Sequence, residues 1–229
     1  MESDDRVIKK RNPRSYITAA FNISIICLAG VGIVRMIRHM DTGAELVSDG
    51  FENFKYYTVL SNVICCAVAV LWLIFFLLRR KFPVLPKLMT ASAVGLTFVT
   101  IAAFLQPLYP DLNLYEGSNK FFHLIVPLIA IVEFIFMEVD GKIPFRYTFL
   151  AVIPAVLYGI GYVINILING VGEWPDSNDW YGFLNWGYPV GFGIFVGIVI
   201  MNWLIACVLR GLNYLMNKMI YSIKSALYK

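Results

Sequence analysis

Charge is scarce in this chain. Asp, Glu, Lys and Arg together make up 15% of its 229 residues, against about 25% in an ordinary soluble domain. Hydrophobic residues reach 59%, above the usual range of about 45–50%, and the excess falls in long blocks. A water-soluble globule is therefore excluded, and the short stretches between blocks leave no room for a separate soluble domain. Cysteine is also sparse: Cys27, Cys65, Cys66 and Cys207 all lie inside apolar blocks, with no C-x-x-C pair. A disulfide framework and a thiolate metal site are both excluded, and no metal or other cofactor is implied. Histidine occurs twice, as His39 in a polar connection and His123 in an apolar block. The chain has no internal repeat, which argues against a solenoid.

Six apolar blocks remain, spanning about 15–37, 54–78, 88–108, 119–137, 145–168 and 189–209, each close to the roughly 20 residues that cross a bilayer as a helix. The expected fold is all-α: one polytopic domain over residues 1–229 with six transmembrane helices. The first block follows a basic stretch, as a signal peptide would, but it exceeds a signal core of roughly 7–15 residues and lacks a small-residue cleavage site, so it reads as retained. The formal net charge of +4 is not a nucleic-acid patch. Its basic residues gather before block one, between blocks two and three, between four and five, and after six (Arg6 to Arg14, Arg79 to Lys87, Lys142 and Arg146, Arg210 to Lys229). By the positive-inside rule, both termini face the cytoplasm. The opposite connections are acidic: 38–53 carries Asp41, Glu45, Asp49 and Glu52. The stretch 169–188 carries Glu173, Asp176 and Asp179 with no Lys or Arg. Its Trp174, Trp180, Tyr181, Trp186 and Tyr188 suit the membrane–water interface.

An ionisable side chain in a membrane block is a functional-site hypothesis by default, and imidazole is suited to acid–base work near neutral pH. His123 is that side chain. Blocks two and four run in the same direction, and Thr58 and His123 each lie about four residues below the start of their block, or roughly 6 Å at 1.5 Å per residue. A Thr–His contact is therefore permitted. Thr58, Ser61, Asn62 and Cys65 form an i, i+3, i+4, i+7 polar stripe on block two. On block four, Asn119, Lys120, His123 and Pro127 share a face, and Pro127 leaves the carbonyl of His123 without its helical donor. A threonine in a membrane helix ordinarily bonds back to its own backbone, and Ser61 and Asn62 can equally hold helices together. Glu133 reads as structural, either a neutral carboxyl or a partner for Tyr158 or Tyr162. Arg35 and Arg38 either snorkel to the surface or hold a carboxylate. Gly30 and Gly32, and the Gly187–Gly197 series, fit close helix packing.

The motifs Phe54-Lys-Tyr-Tyr-Thr58-Val-Leu-Ser-Asn62, His123-Leu-Ile-Val-Pro127 with Glu133, and Trp180-Tyr-Gly-Phe-Leu-Asn185 resemble those of the androgen-induced-protein family. That family comprises six-helix intramembrane threonine hydrolases. Pro127 has the spacing of its bacterial relatives, which implies a bacterial plasma membrane, and Gly182 stands where a proline is common. The resemblance implies cleavage of a lipid ester, in animal members fatty acid esters of hydroxy fatty acids, with Thr58 as nucleophile and His123 as base. The developing oxyanion would need donors, for which Asn62, Ser61, Tyr56 and Tyr57 are candidates; Asn119 lies one turn from His123. The expected partners are an acyl-ester substrate and the bilayer, with no nucleic acid. The alternative is a small-molecule or lipid transporter, or a membrane binding protein without hydrolase activity, its pathway lined by His123, Glu133 and the block-two stripe.

Overall fold

The computed structural model describes residues 12–38, 40, 50–173 and 177–227. His39, Asp41, Glu45, Asp49, Trp174, Asp176, the basic residues before Asn12, and Lys229 lie outside them. The described residues are helical and contain no strand. The helices are α1 (Pro13–Ile37), α2 (Tyr57–Leu77), α3 (Val84–Leu108), α4 (Phe121–Phe136), α5 (Arg146–Asn169) and α6 (Tyr188–Leu227). A 3₁₀ turn, Gly50–Lys55, leads into α2. Five of these helices are long and apolar enough to cross a membrane; α4 is shorter. It consists of a five-residue π-helical turn followed by eleven α-helical residues. The chain is thus a helical membrane protein.

Several boundaries differ from the sequence expectation. Block two gives its first residues to the 3₁₀ turn. Helix α3 starts at Val84, because Pro86 fits a first helical turn, where its missing N–H is no loss, rather than breaking the chain. Helix α6 continues for 40 residues. Both α3 and α4 contain a π-helical turn, Thr100–Leu105 and Phe121–Ile125. Each turn is followed by one residue and then a proline, Pro107 or Pro127.

Among the described residues, the start of α1, the α2–α3 and α4–α5 connections and α6 meet at one end of the bundle. Lys81 forms an ion pair with Asp140, joining the α2–α3 and α4–α5 connections. The side chain of Asn12 donates to Glu138. The last turn of α4 leaves carbonyls with no helical donor, and neighbouring helices supply them. Asn213 of α6 donates to the Phe134 and Met137 carbonyls at 2.8 and 3.0 Å, and Arg14 of α1 donates to the Phe136 carbonyl. The last carbonyls of α4 thus end on side chains from α1 and α6.

Lipid tails are as apolar as leucine, so small residues and polar contacts carry helix association. Helices α3 and α4 form the centre. Leu88, Ala91, Phe134, Ala206 and Leu209 pack near the basic end; Ile25, Ala29, Ala69, Val94 and Ala130 pack at mid-depth. Gly32 lets α1 lie directly on the Phe122 ring, 2.9 Å from where a Cβ would stand, whereas Gly30 faces open space. In the Gly187–Gly197 series only Gly191 makes a tight approach, to the Phe183 carbonyl; Gly193 and Gly197 do not. The closest approach of all falls elsewhere, at Gly159 of α5 against the Phe195 ring of α6.

The polar centre of the bundle is an ion pair that the sequence reading missed. Lys87 of α3 and Glu133 of α4 are 3% and 1% exposed, with Lys87 Nζ 3.2 Å from Glu133 Oε1. Asn22 of α1 completes the group: its Nδ2 donates to Glu133 at 3.0 Å and its Oδ1 accepts from Lys87. Glu133 therefore partners neither Tyr158 nor Tyr162, and Lys87 is a core residue rather than part of a surface basic cluster. Three helices are joined by three side chains that have no water to fall back on. Lys87→Met, which strips Glu133 of its cation, is expected to destabilise the fold by about 3–5 kcal/mol, and adding Glu133→Leu should recover most of that loss. Thermal unfolding in detergent measures both; a loss that the double variant does not recover would show that the charge pairing is not what joins α3 to α4.

Candidate functional site

At the end of the bundle opposite the basic segments, a cavity of about 690 Å³ lies between the start of α2, the π-helical part of α3, α5, α6 and the connection before α6. Its wall is largely aliphatic and aromatic, including Phe104, Ile101, Val163, Leu167, Phe192 and Phe195. Phe104, Val163, Leu167 and Phe192 are also exposed on the outside of the bundle, so the cavity borders the lipid-facing side of α3, α5 and α6. The polar part of the wall consists of hydroxyls: Thr58, Thr97, Thr100, Tyr57, Tyr158, Tyr162, Tyr181 and Tyr188.

The connection before α6 folds onto the bundle and closes this end. Asp179 is its anchor. The buried carboxylate accepts from the N–H groups of Phe183 and Leu184 at 2.9 and 2.8 Å and from the Tyr162 hydroxyl. Tyr181 is held by the Tyr57 N–H, which donates to its hydroxyl at 2.8 Å. Tyr158 donates to the Lys55 carbonyl at 2.6 Å and accepts from the Trp180 indole at 3.0 Å. Burial raises the Tyr181 phenol well above the ordinary tyrosine value, and Tyr158 beside it adds to the rise. Tyr181 and Tyr188 thus form part of the cavity wall, and Trp186 and Tyr188 are exposed.

Thr58 lines the cavity. Unlike Thr18, Ser24 and Thr90, whose hydroxyls bond back to carbonyls four residues earlier, its hydroxyl makes no hydrogen bond among the described residues. The local fold explains this: four residues before Thr58 the chain is in the 3₁₀ turn, not in α2. The Thr58 carbonyl is committed, accepting from Ser61 at 3.0 Å and from Asn62 at 2.7 Å.

His123 is buried, and its Nδ1 lies 2.6 Å from the Leu114 carbonyl. A carbonyl can only accept, so Nδ1 carries the proton and Nε2 keeps its lone pair. His123 does not line the cavity, and no hydrogen bond joins it to Thr58 among the described residues. The two stand on adjacent helices at one level, tied through Asn62. The Asn62 Nδ2 that reaches the Thr58 carbonyl also donates to the Phe122 carbonyl of α4 at 3.0 Å. The π-helical turn accounts for that second bond. The Val126 N–H donates five residues back to Phe121, and Pro127 has no N–H, so the Phe122 carbonyl gets no donor from its own helix. The vacated carbonyl is that of Phe122, one residue earlier than the α-helical count to His123 suggests.

The other sequence candidates divide. Ser61 is buried and directs its hydroxyl to the Thr58 carbonyl, with Thr97 Oγ1 3.5 Å away. The Asn62 Nδ2 is committed to the two carbonyls, while its Oδ1 is buried without a partner. Tyr57 lines the cavity, while its hydroxyl is buried without a partner. Tyr56 lies outside the wall, its ring edge-on to Tyr181. Asn119 also lies outside the wall, and the Leu114 carbonyl occupies the histidine nitrogen it would orient. Arg35 and Arg38 do not line the cavity, and no cluster of metal-ligating side chains is found among the described residues. Thr97 and Thr100, and Tyr158 and Tyr162, were missed. Their i, i+3 and i, i+4 spacings are polar stripes of the kind that marked Thr58 to Cys65, and would have flagged α3 and α5.

No family model, curated protein or solved structure matches the chain. Its functional reading rests on its own residues.

Asn62→Leu leaves the Phe122 carbonyl unsatisfied and is expected to cost about 1–3 kcal/mol. Pro127→Ala, which returns an N–H to the helix, should shrink that cost, and unfolding of the two single variants and the double measures the coupling. Additive losses would show that the proline is not the reason Asn62 is needed.

Proposed function

We propose that the protein is a six-span enzyme of the plasma membrane, with both termini cytoplasmic, that hydrolyses a lipid ester held in the cavity. The observation that carries this reading is Thr58: the residue lines the cavity, and its hydroxyl makes no hydrogen bond among the described residues. In the proposed reaction Thr58 Oγ attacks the ester carbonyl while His123 takes its proton on Nε2, the nitrogen left free by the Leu114 contact. The proton passes through a water or after a side-chain rotation. The tetrahedral oxygen is met by a hydroxyl of the wall. Collapse expels the alcohol, which leaves with the proton from His123; water then cleaves the acyl-threonine to release the acid and restore Thr58. The resemblance of the Thr58 and His123 motifs to those of intramembrane threonine hydrolases supports the same assignment.

A second reading is a lipid-binding or lipid-transporting membrane protein without chemistry. The position of His123 favours it, since the imidazole is not in the cavity wall. A fluorophosphonate probe applied to the purified protein in detergent separates the two. Covalent labelling that disappears in Thr58→Ala, persists in Thr58→Ser and falls at least tenfold in His123→Ala is expected for the hydrolase. Labelling that is equal in all variants, or absent from the wild type, would leave the binding reading.

A further inference from the structure

Among the described residues, the wall of the cavity contains no Asp, Glu, Lys, Arg or His. Its polar groups are threonine and tyrosine hydroxyls, which hydrogen-bond neutral oxygen but supply no countercharge. The surroundings do not make up the deficit. Asp179, behind Tyr162 and Phe183, is a carboxylate, of the wrong sign to hold an anion. Lys55 is next to the site in sequence, but its Nζ is turned to Glu52 at 3.8 Å and lies over the Tyr56 ring, outside the wall. At the other end of the bundle Lys87 is paired with Glu133, and Arg14 and Arg210 are bonded to the Phe136 and Ile143 carbonyls. An ionised carboxylate or phosphate entering such a cavity loses its water and gains no countercharge. A single ester or alcohol oxygen needs only one donor, for which the Thr58 and Thr100 hydroxyls make no hydrogen bond among the described residues.

We infer that the cavity selects uncharged lipids, an ester or alcohol with an aliphatic body, and rejects lipids that carry a free carboxylate or phosphate. This deepens the hydrolase reading by fixing its substrate class, and it departs from the hydroxy-fatty-acid esters that the motif resemblance implies, since those bear a carboxylate. It also gives the reaction a direction: hydrolysis turns a neutral ester into an acid that ionises, and the wall has nothing to retain it.

The test reads binding, not turnover, so that it stands apart from the hydrolase reading. Energy transfer from the protein's tryptophans to 12-(1-pyrenyl)dodecanoic acid and to its methyl ester is titrated in detergent at pH 9, with the wild type and with Thr58→Ala. The methyl ester is expected to bind at least tenfold more tightly than the acid in both proteins. Thr100→Arg, which places a cation in the wall, should narrow or reverse that ratio. Equal affinity for acid and ester, tighter binding of the acid, or no saturable binding of either probe would overturn the inference. A preserved ester preference without any hydrolysis would reject only the enzymatic reading, and hydrolysis with equal acid binding only the selectivity.

Discussion

The Asn62 amide reaching the Phe122 carbonyl is the contact on which the candidate site depends. Inside a bilayer a bare carbonyl has no water to turn to, so a helix interrupted by proline must borrow a donor from a neighbour. Here the proline belongs to α4 and the donor to α2. That one exchange sets the two helices side by side at the level of Thr58 and His123. It also consumes the Asn62 donor that could otherwise have served catalysis. The Thr58 hydroxyl stays free because α2 begins directly above it, so no earlier helical turn offers a carbonyl.

A similar economy recurs at the basic end. The last carbonyls of α4 have no donor in their own helix, and Asn213 and Arg14 supply it. Lys87, Glu133 and Asn22 close a polar group between α1, α3 and α4 with every charge matched. The two ends of the bundle differ in kind. One is held by the Lys87–Glu133 pair; the other surrounds a cavity whose wall, among the described residues, has hydroxyls and no charge. The contrast gives the cavity its chemical character and separates it from the ion pair that might otherwise have been taken for part of a polar pathway.

Much of the helical architecture was legible from hydropathy, because lipid admits few alternatives to a helix built from a long apolar block. The polar stripe from Thr58 to Cys65 was legible too, since i, i+3, i+4 spacing maps directly onto one face. The partner of Glu133 was not. Lys87 sits among basic residues at a helix start, and only the crossing of α3 with α4 turns it inward. Gly159 shows the same limit: its neighbour Phe195 lies on another helix, so nothing nearby in sequence marks it as the closest approach, while the more conspicuous Gly193 and Gly197 face open space.

What the sequence determined by itself was the material of the protein: apolar helices with basic segments on one side, and two reactive groups at equal depth. Those properties depend on local composition and on distance along a single helix. Only the tertiary structure decided that Thr58 lines a cavity while His123 is drawn to the Leu114 carbonyl, and that the described residues of the cavity wall carry no charge. Which side chains share an enclosed space depends on how helices rotate about their own axes when they pack, and that rotation is fixed by contacts between residues far apart in the chain.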